Sequence, residues 1–479
     1  MARSAAKAHP ADTGEAGDDI SVDRLIAQAR TAMDALAGAS QARVDEAVTA
    51  LAWSIYQPER ARALAEEAVR ATGLGNVPDK VIKNTRKTFG TLRDLLRVKT
   101  VGVIEDNPAL GLVKYAKPVG VVAAVCPSTN PAATPINKAM MALKGANAVI
   151  IAPSPAGWSA SAMTVDYARA ELARIGLPPD LVQVLPAPVT KDSTQVLMER
   201  ADLVVCTGSQ NNVRRAYSSG TPAIGVGAGN VPVIVDSTAD LADAAAKICA
   251  SKIFDNATSC SSENALVILD DVYDAAVAAL EEAGGYMAAP AECRAIVDTL
   301  WVDGKLNRKV IAKDAAVLAD ACGLPDSARS KKFIMVEETG VGTGHPLSGE
   351  KLSLVLTLYR AADFAAAKAR VREILAFQGI GHSCGIHTKE MAHARALAEE
   401  LNVVRVLVNQ AHTFGNGGGF DNGLNFTLSM GCGTWAGNSI SENLNYRHFI
   451  NVTHLVTTIP DDKPTEAALF GAYWDKFGK

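Results

Sequence analysis

Residues 119–131 read VGVVAAVCPSTNP, a valine-rich apolar run with no polar alternation. A strand buried on both faces needs that pattern, because helices cover both sides of a parallel sheet. A helical pattern follows (INKAMMALKGA), then a strand (NAVIIAP), a helix (SASAMTVDYARAELARIG), a strand (LVQVLPA), a helix (DSTQVLMERA) and a strand (DLVVCTGS). This alternation predicts an α/β fold with a doubly wound sheet. A second α/β region begins near Asp240 with the helix LADAAAKICASKIF, followed by FDNATSCSSE, the strand ALVIL and the helix DVYDAAVAALEEAG. Ahead of the first strand, residues 21–96 carry apolar side chains at three- and four-residue spacing, the period of amphipathic helices. Beyond Phe414 the chain turns glycine-rich (GNGGGF, GCGTWAGN) and ends in a strand-like HFINVTHLVTTI.

The bulk composition narrows the function classes. A chain of 479 residues exceeds one hydrophobic core and predicts two or three domains. Hydrophobic residues make up 48% and the formal net charge is −4, without a lysine or arginine block, which argues against nucleic acid as partner. No apolar run reaches the roughly 18 residues of a membrane helix. Residues 1–20 lack the apolar stretch of a secretory signal and read as a disordered polar tail before a helix starting near Ser21. Eight cysteines form no CxxC pair, which argues against a zinc site and a disulfide framework and for a reduced, cytoplasmic setting.

One cysteine stands apart. Cys126, Cys206 and Cys249 sit inside apolar segments and read as small core residues. Cys260 is flanked by Asn256, Thr258, Ser259, Ser261 and Ser262, which in a core would each need a hydrogen-bond partner. A hydroxyl-rich turn suits a thiol that meets a substrate and whose thiolate is held by backbone N–H groups.

In their order along the chain, KPVGVVAAVCPSTNP, CTGS, GVGAGNVPV, FDNATSCSSE, GEKLS, GIGHSCGIHT and LSMGCGTWAGNSISEN resemble the aldehyde dehydrogenase superfamily, and within it the coenzyme-A-acylating branch. The resemblance implies a cofactor-binding domain over 21–239, with an oligomerisation strand at about 108–118. It further implies a catalytic domain over 240–430 and a C-terminal oligomerisation segment over 431–479. It implies Cys260 as nucleophile, with its own N–H and the Asn130 amide receiving the oxyanion. For a nicotinamide cofactor it implies Gly208 and Ser209 at the pyrophosphate, Gly227 and Gly229 along the nicotinamide, Glu350 at the ribose, and Ser154 after NAVIIAP. No acidic residue follows that strand to grip an adenosine 2′-hydroxyl, so NADP is expected ahead of NAD.

The departure from the hydrolytic members is informative. They carry a glutamate ahead of the glycine pair as base for the deacylating water, and here Val226 or Gly225 stands in its place. Without that base a thiol, coenzyme A, is the expected acceptor and an acyl-CoA the product. His382 either handles the coenzyme A thiol proton or serves as a structural histidine; the sequence leaves both open. NQAHTFGNGGGFDNG and NLNYRHFINVTHL are similar to the acylating enzymes of sulfoacetaldehyde and succinate semialdehyde, which implies an anionic short-chain aldehyde. Arg405, His412 and the backbone of GNGGG are the expected anion donors. An acyl phosphate reductase and a non-catalytic assembly or cargo protein are the rival readings. A homodimer or homotetramer is expected, and no metal.

Overall fold

In the computed structural model of the chain, which describes residues 15–479, four helices precede the first sheet: α1 (Glu15–Met33), α2 (Gln41–Tyr56), α3 (Pro58–Thr72) and α4 (Val77–Leu96). Their ends carry local stop and start chemistry. Ser40 accepts the Arg43 N–H before α2, Asn76 accepts the Asp79 N–H before α4, and Gly73 closes α3 at φ 67°. Of the tail expected over 1–20, residues 1–14 lie outside the described residues. Residues 15–20 already belong to α1, so the helix starts ahead of Ser21.

The first sheet follows β1 (Gly102–Asn107) and β2 (Leu112–Pro118), an antiparallel hairpin. It comprises β3 (Val121–Cys126), α5 (Ala133–Lys144), β4 (Ala148–Pro153), α6 (Trp158–Arg174), β5 (Val182–Val184), α7 (Lys191–Arg200), β6 (Leu203–Cys206), α8 (Gln210–Ser218) and β7 (Ala223–Gly225). The five strands are parallel in the order β5-β4-β3-β6-β7, and β3 and β4 are buried at every position. The strand order reverses between β3 and β6, whose carboxyl ends therefore open the crevice where such sheets bind ligands.

A second sheet begins with β8 (Val231–Val235), α9 (Leu241–Ile253), β9 (Glu263–Leu269) and β10 (Gly285–Met287). After the small hairpin β11 (Trp301–Val302) and β12 (Lys305–Leu306) come β13 (Phe333–Glu337), β14 (Val355–Ala361), β15 (Gly381–His387) and β16 (Val403–Val408). Seven strands run parallel in the order β10-β13-β14-β9-β8-β15-β16. Because β8 belongs here, the second sheet starts ahead of residue 240. The last strand, β17 (Ile450–Val456), pairs antiparallel with β2 from Ile450↔Pro118 to Val456↔Leu112. β1 has no counterpart in the sequence analysis, since GVIEDN is too polar to stand out as a strand.

Helix α4 joins the loops that leave both sheets. Its Lys80 ammonium donates to the Thr129 carbonyl (3.1 Å), beyond β3, and to the Asp255 carboxylate (3.0 Å), ahead of β9. Lys83, one turn on, reaches the same carboxylate oxygen (2.5 Å) and Thr258 Oγ1 (3.0 Å). All three charged groups are buried. Removing one partner of a buried ion cluster leaves uncompensated charge in a low dielectric. Asp255→Ala is therefore expected to lose about 3–5 kcal/mol of stability, read from the guanidinium chloride midpoint.

Candidate active site

Strand register dictates which residues meet at the amino-terminal edge of the second sheet. Val231 of β8 faces Glu263 of β9, so the chains entering these strands run side by side. That places Gly229 against Cys260 so tightly that a Cβ at 229 would lie 2.2 Å from the Cys260 carbonyl oxygen. Only glycine fits. Gly227 is packed the same way against Cys432, with a Cβ 2.7 Å from its sulfur. β15 lies on the other side of β8, with Gly385 facing Val233, and carries His382 to the same edge. His382 Nε2 is 3.4 Å from Cys260 Sγ, and Nδ1 is 2.8 Å from Ser383 Oγ. Asn130 shares one pocket with Ser259 and Ser261, the neighbours of Cys260. Its amide has a single contact, Nδ2 to Thr129 Oγ1 at 3.4 Å, and its buried oxygen has none.

The electrostatics correct one expectation. Burial pushes the Cys260 thiol up to about 12, and the Glu350 and Cys432 charges add to the rise, while Arg405 opposes it. The free protein thus holds a thiol, not the thiolate expected from the hydroxyl-rich turn. Burial also holds His382 well below the usual imidazole range, with Arg405 and His412 adding to the effect, so the ring is neutral. A neutral imidazole that donates from Nδ1 to Ser383 presents the Nε2 lone pair to the Cys260 S–H. The hydroxyls around Cys260 are themselves largely buried, and they are satisfied locally: Thr258 donates to Asp255 (2.7 Å), and Ser261 accepts from Asn416 (3.0 Å). Ser262 Oγ alone among them lacks a partner.

Of the residues expected at a nicotinamide cofactor, Gly208 and Ser209 follow the carboxyl end of β6, at the crevice, while Glu350 precedes β14 of the second sheet. Gly208 and Ser209 lead from β6 into α8, where Ser209 caps the helix by accepting the Asn212 N–H (3.3 Å). A Cβ at Gly208 would have no neighbour nearer than 3.8 Å, which leaves an open cradle at a helix N-terminus, a fit for pyrophosphate. Glu350 is half-buried, burial raises its carboxyl to about 7, and that carboxyl forms no hydrogen bond among the described residues, leaving it available to ribose hydroxyls. Ser154 directly follows β4, and its hydroxyl accepts the Gly157 N–H (3.3 Å). The residues present fit the cofactor.

The structure brings to the pocket three residues that the sequence analysis passed over: Lys83, Arg86 and Lys87 of α4. Their i, i+3, i+4 spacing is the one signal that could have found them, since it sets all three on one helix face. The anion donors proposed from sequence are engaged elsewhere. Arg405 is buried and donates to Asn443 Oδ1 (2.9 Å), the His382 carbonyl (2.8 Å) and the Gly431 carbonyl (2.9 Å). His412 bonds the Ser261 carbonyl through Nδ1 (3.0 Å), and burial lowers it to about 4, so it is neutral. In GNGGG, the N–H groups of Asn416, Gly418 and Gly419 are already bonded within the loop.

A thiol set between a glycine loop and a neutral histidine, beside a dinucleotide-type crevice, defines a cysteine-dependent oxidoreductase of carbonyl compounds. The sequence profile described as the aldehyde dehydrogenase family matches residues 3–287. The chain is 54% identical to the sulfoacetaldehyde dehydrogenase (acylating) of Cupriavidus necator, over 96% of this chain and 93% of that one. It is 39% identical to the succinate-semialdehyde dehydrogenase (acetylating) of Clostridium kluyveri, over 91% of this chain and 96% of the other. The crystal structure of an acetylating aldehyde dehydrogenase from Geobacillus thermoglucosidasius superposes with a TM-score of 0.90 at 33% identity, covering 94% of this chain and 99% of that one. The chain belongs to the aldehyde dehydrogenase family.

The raised thiol gives a direct test. Cys260 is half-buried, and its raised thiol ionises only far above neutrality, so alkylation by iodoacetamide should climb steadily from about pH 7 to about pH 10. Peptide mass spectrometry of the Cys260 adduct reads the rate. A plateau near neutral pH would mean that the thiol is already ionised.

Proposed function

We propose that the protein oxidises a short anionic aldehyde to its acyl-CoA with NADP, or NAD, as acceptor; sulfoacetaldehyde is the first candidate and succinate semialdehyde the second. The contact between Cys260 Sγ and the neutral His382 Nε2 carries this reading. The acylating relatives and the related acetylating fold support it, and they disfavour both an acyl phosphate reductase and a non-catalytic cargo protein.

The chain's own groups account for the steps. His382 takes the thiol proton as sulfur adds to the aldehyde carbon, giving a thiohemiacetal oxyanion. The Asn130 amide and the Cys260 N–H supply short-range donors where that charge develops. A nicotinamide held in the crevice by Gly208 and Ser209 would supply the hydride acceptor, and collapse of the oxyanion would then leave a thioester on Cys260. Release then needs a nucleophile. Val226 or Gly225 stands where the hydrolytic base would be, and the Val226 carbonyl accepts from Gln210 Nε2 at 3.3 Å. Both Glu263 oxygens are taken, by Ser251 Oγ (2.5 Å) and the His412 N–H (3.1 Å). Glu350 is assigned to the ribose. No free carboxylate is left to serve water as the hydrolytic base does. His382 first releases to solvent the proton it took from Cys260; the thiol of coenzyme A then loses its proton to His382 and attacks the thioester, and the displaced Cys260 thiolate takes that proton back, an exchange of one thioester for another and therefore reversible.

No acidic residue stands in residues 154–157, so a 2′-phosphate on the cofactor meets no repulsion after β4. Eight unpaired cysteines favour a cytoplasmic setting, and among the described residues no helix is long and apolar enough to cross a membrane. The exposed β17 and the last helix (Glu466–Phe477), which buries no residue, support a homo-oligomer.

With sulfoacetaldehyde and coenzyme A, nicotinamide reduction should yield sulfoacetyl-CoA. Omitting coenzyme A should leave only a trace of steady-state turnover, and Cys260→Ala should abolish turnover while nucleotide still binds in a fluorescence titration. Sustained release of the free acid without coenzyme A would overturn the acylating assignment.

A further inference from the structure

The pocket beside Cys260 holds more positive charge than its own carboxylates balance. Lys80 and Lys83 are matched by Asp255, with Asp79 close by. Arg86 and Lys87 have no carboxylate within ion-pair distance among the described residues. Arg86 makes one long contact to the Phe414 carbonyl (3.5 Å), and its guanidinium lies over the Phe414, Phe420 and Phe426 rings at 5.4, 5.6 and 5.3 Å. The carboxylate whose field reaches it, Asp421, is solvent-exposed. Lys87 donates to the Gly417 carbonyl (2.7 Å) and sits 5.4 Å over Phe426. Gly417 is required there, since a Cβ would come within 2.7 Å of the Lys87 ammonium. Both groups are half-buried among aromatic faces and carbonyls; burial lowers Lys87 to about 7, with Arg86 and Lys83 adding to the fall, so a bound anion would restore its full charge.

We propose that Arg86 and Lys87 form the subsite that binds the anionic group of the aldehyde, a sulfonate or a carboxylate, while its carbonyl reaches Cys260. The inference rests on the aldehyde reading above and names which residues set its selectivity. An anion entering a partly dry pocket loses hydration and binds only where charged donors replace it. The guanidinium offers a planar fork of N–H donors, and the ammonium a compact point charge, a pair able to meet three sulfonate oxygens or two carboxylate oxygens. Lys83, held by Asp255, adds field without being free to pair.

Two measurements separate this inference from the reaction it rests on. The first is the ratio of kcat/KM for sulfoacetaldehyde, and for succinate semialdehyde, over that for propanal. Losing a charge-assisted hydrogen bond in Arg86→Gln or Lys87→Met should lower that ratio by about 10- to 100-fold, and Arg86→Lys should keep part of it. The second needs no turnover: Cys260 alkylation by iodoacetate relative to iodoacetamide, against the same ratio for glutathione. The wild-type preference for the anionic reagent should exceed that of glutathione by about tenfold and collapse in both neutral variants. An unmoved kinetic ratio in a protein that still makes acyl-CoA overturns the subsite alone. A preference for iodoacetate in a protein that oxidises no aldehyde upholds the anion subsite and overturns the reaction. A wild-type alkylation ratio equal to that of glutathione overturns the subsite outright.

Discussion

The buried cluster of Asp255 with Lys80 and Lys83 governs the rest of the site. Asp255, Asn256 and Ala257 adopt φ values of 50°, 52° and 59°, a left-handed run that costs non-glycine residues roughly 1–2 kcal/mol each. Such a run persists only where surroundings dictate it. Here two ammonium groups fix the Asp255 side chain, the Asp79 carboxylate accepts its N–H (2.7 Å), and Asn256 donates to Asp314 (2.9 Å). The strained segment ends three residues before Cys260 and sets the angle at which the thiol enters the pocket. Because Lys80 also holds Thr129, the loop of Asn130 and the loop of Cys260 are referenced to one helix. A nucleophile and its oxyanion donor must keep register to within a fraction of an ångström, and one shared anchor achieves that better than two independent ones.

Beneath the thiol a second buried network performs the same office for the segment beyond β16. Glu263, at the start of β9, is raised to about 7 by burial, with bonds from Ser251 and the His412 N–H working against that rise. Ser251 in turn accepts the Thr413 N–H at 2.8 Å. The four-residue helix His412–Gly415 is thereby pinned under the Cys260 loop, which presents Gly417 to Lys87. Anion recognition and nucleophile placement hang on adjoining parts of one hydrogen-bonded frame.

Much of this was legible in the sequence because parallel sheets write themselves as unbroken apolar runs. VVAAVC and AVIIAP became β3 and β4 without ambiguity. The glycine loop and Cys260 were legible because small residues next to a lone polar cysteine have no core explanation. What stayed hidden was set by tertiary contact. Lys83, Arg86 and Lys87 look like any solvated helix face until α4 is laid across the mouth of the pocket. Arg405 looked available because sequence cannot show that a guanidinium is surrounded by carbonyls. The protonation of Cys260 is hidden for the same reason: Thr258 and Ser261 are bonded to Asp255 and Asn416 rather than to the sulfur, which burial keeps protonated.

The division of labour follows from charge. Arg405 already opposes the rise of the Cys260 thiol, yet burial wins, so a diffuse positive field is too weak to ionise this sulfur. An anionic aldehyde seated between Arg86 and Lys87 cancels part of the remaining field and makes ionisation harder still. Proton removal must then be local, which is what a neutral imidazole in contact with sulfur provides and a distant cation does not. The same holds one step later. In the proposed reaction, with the α4 cations neutralised by the substrate's own anion, the oxyanion is met at hydrogen-bond range by the Asn130 amide and the Cys260 N–H. Recognition and bond-making therefore fall to different residues, and a change at the first can redirect selectivity without dismantling the second.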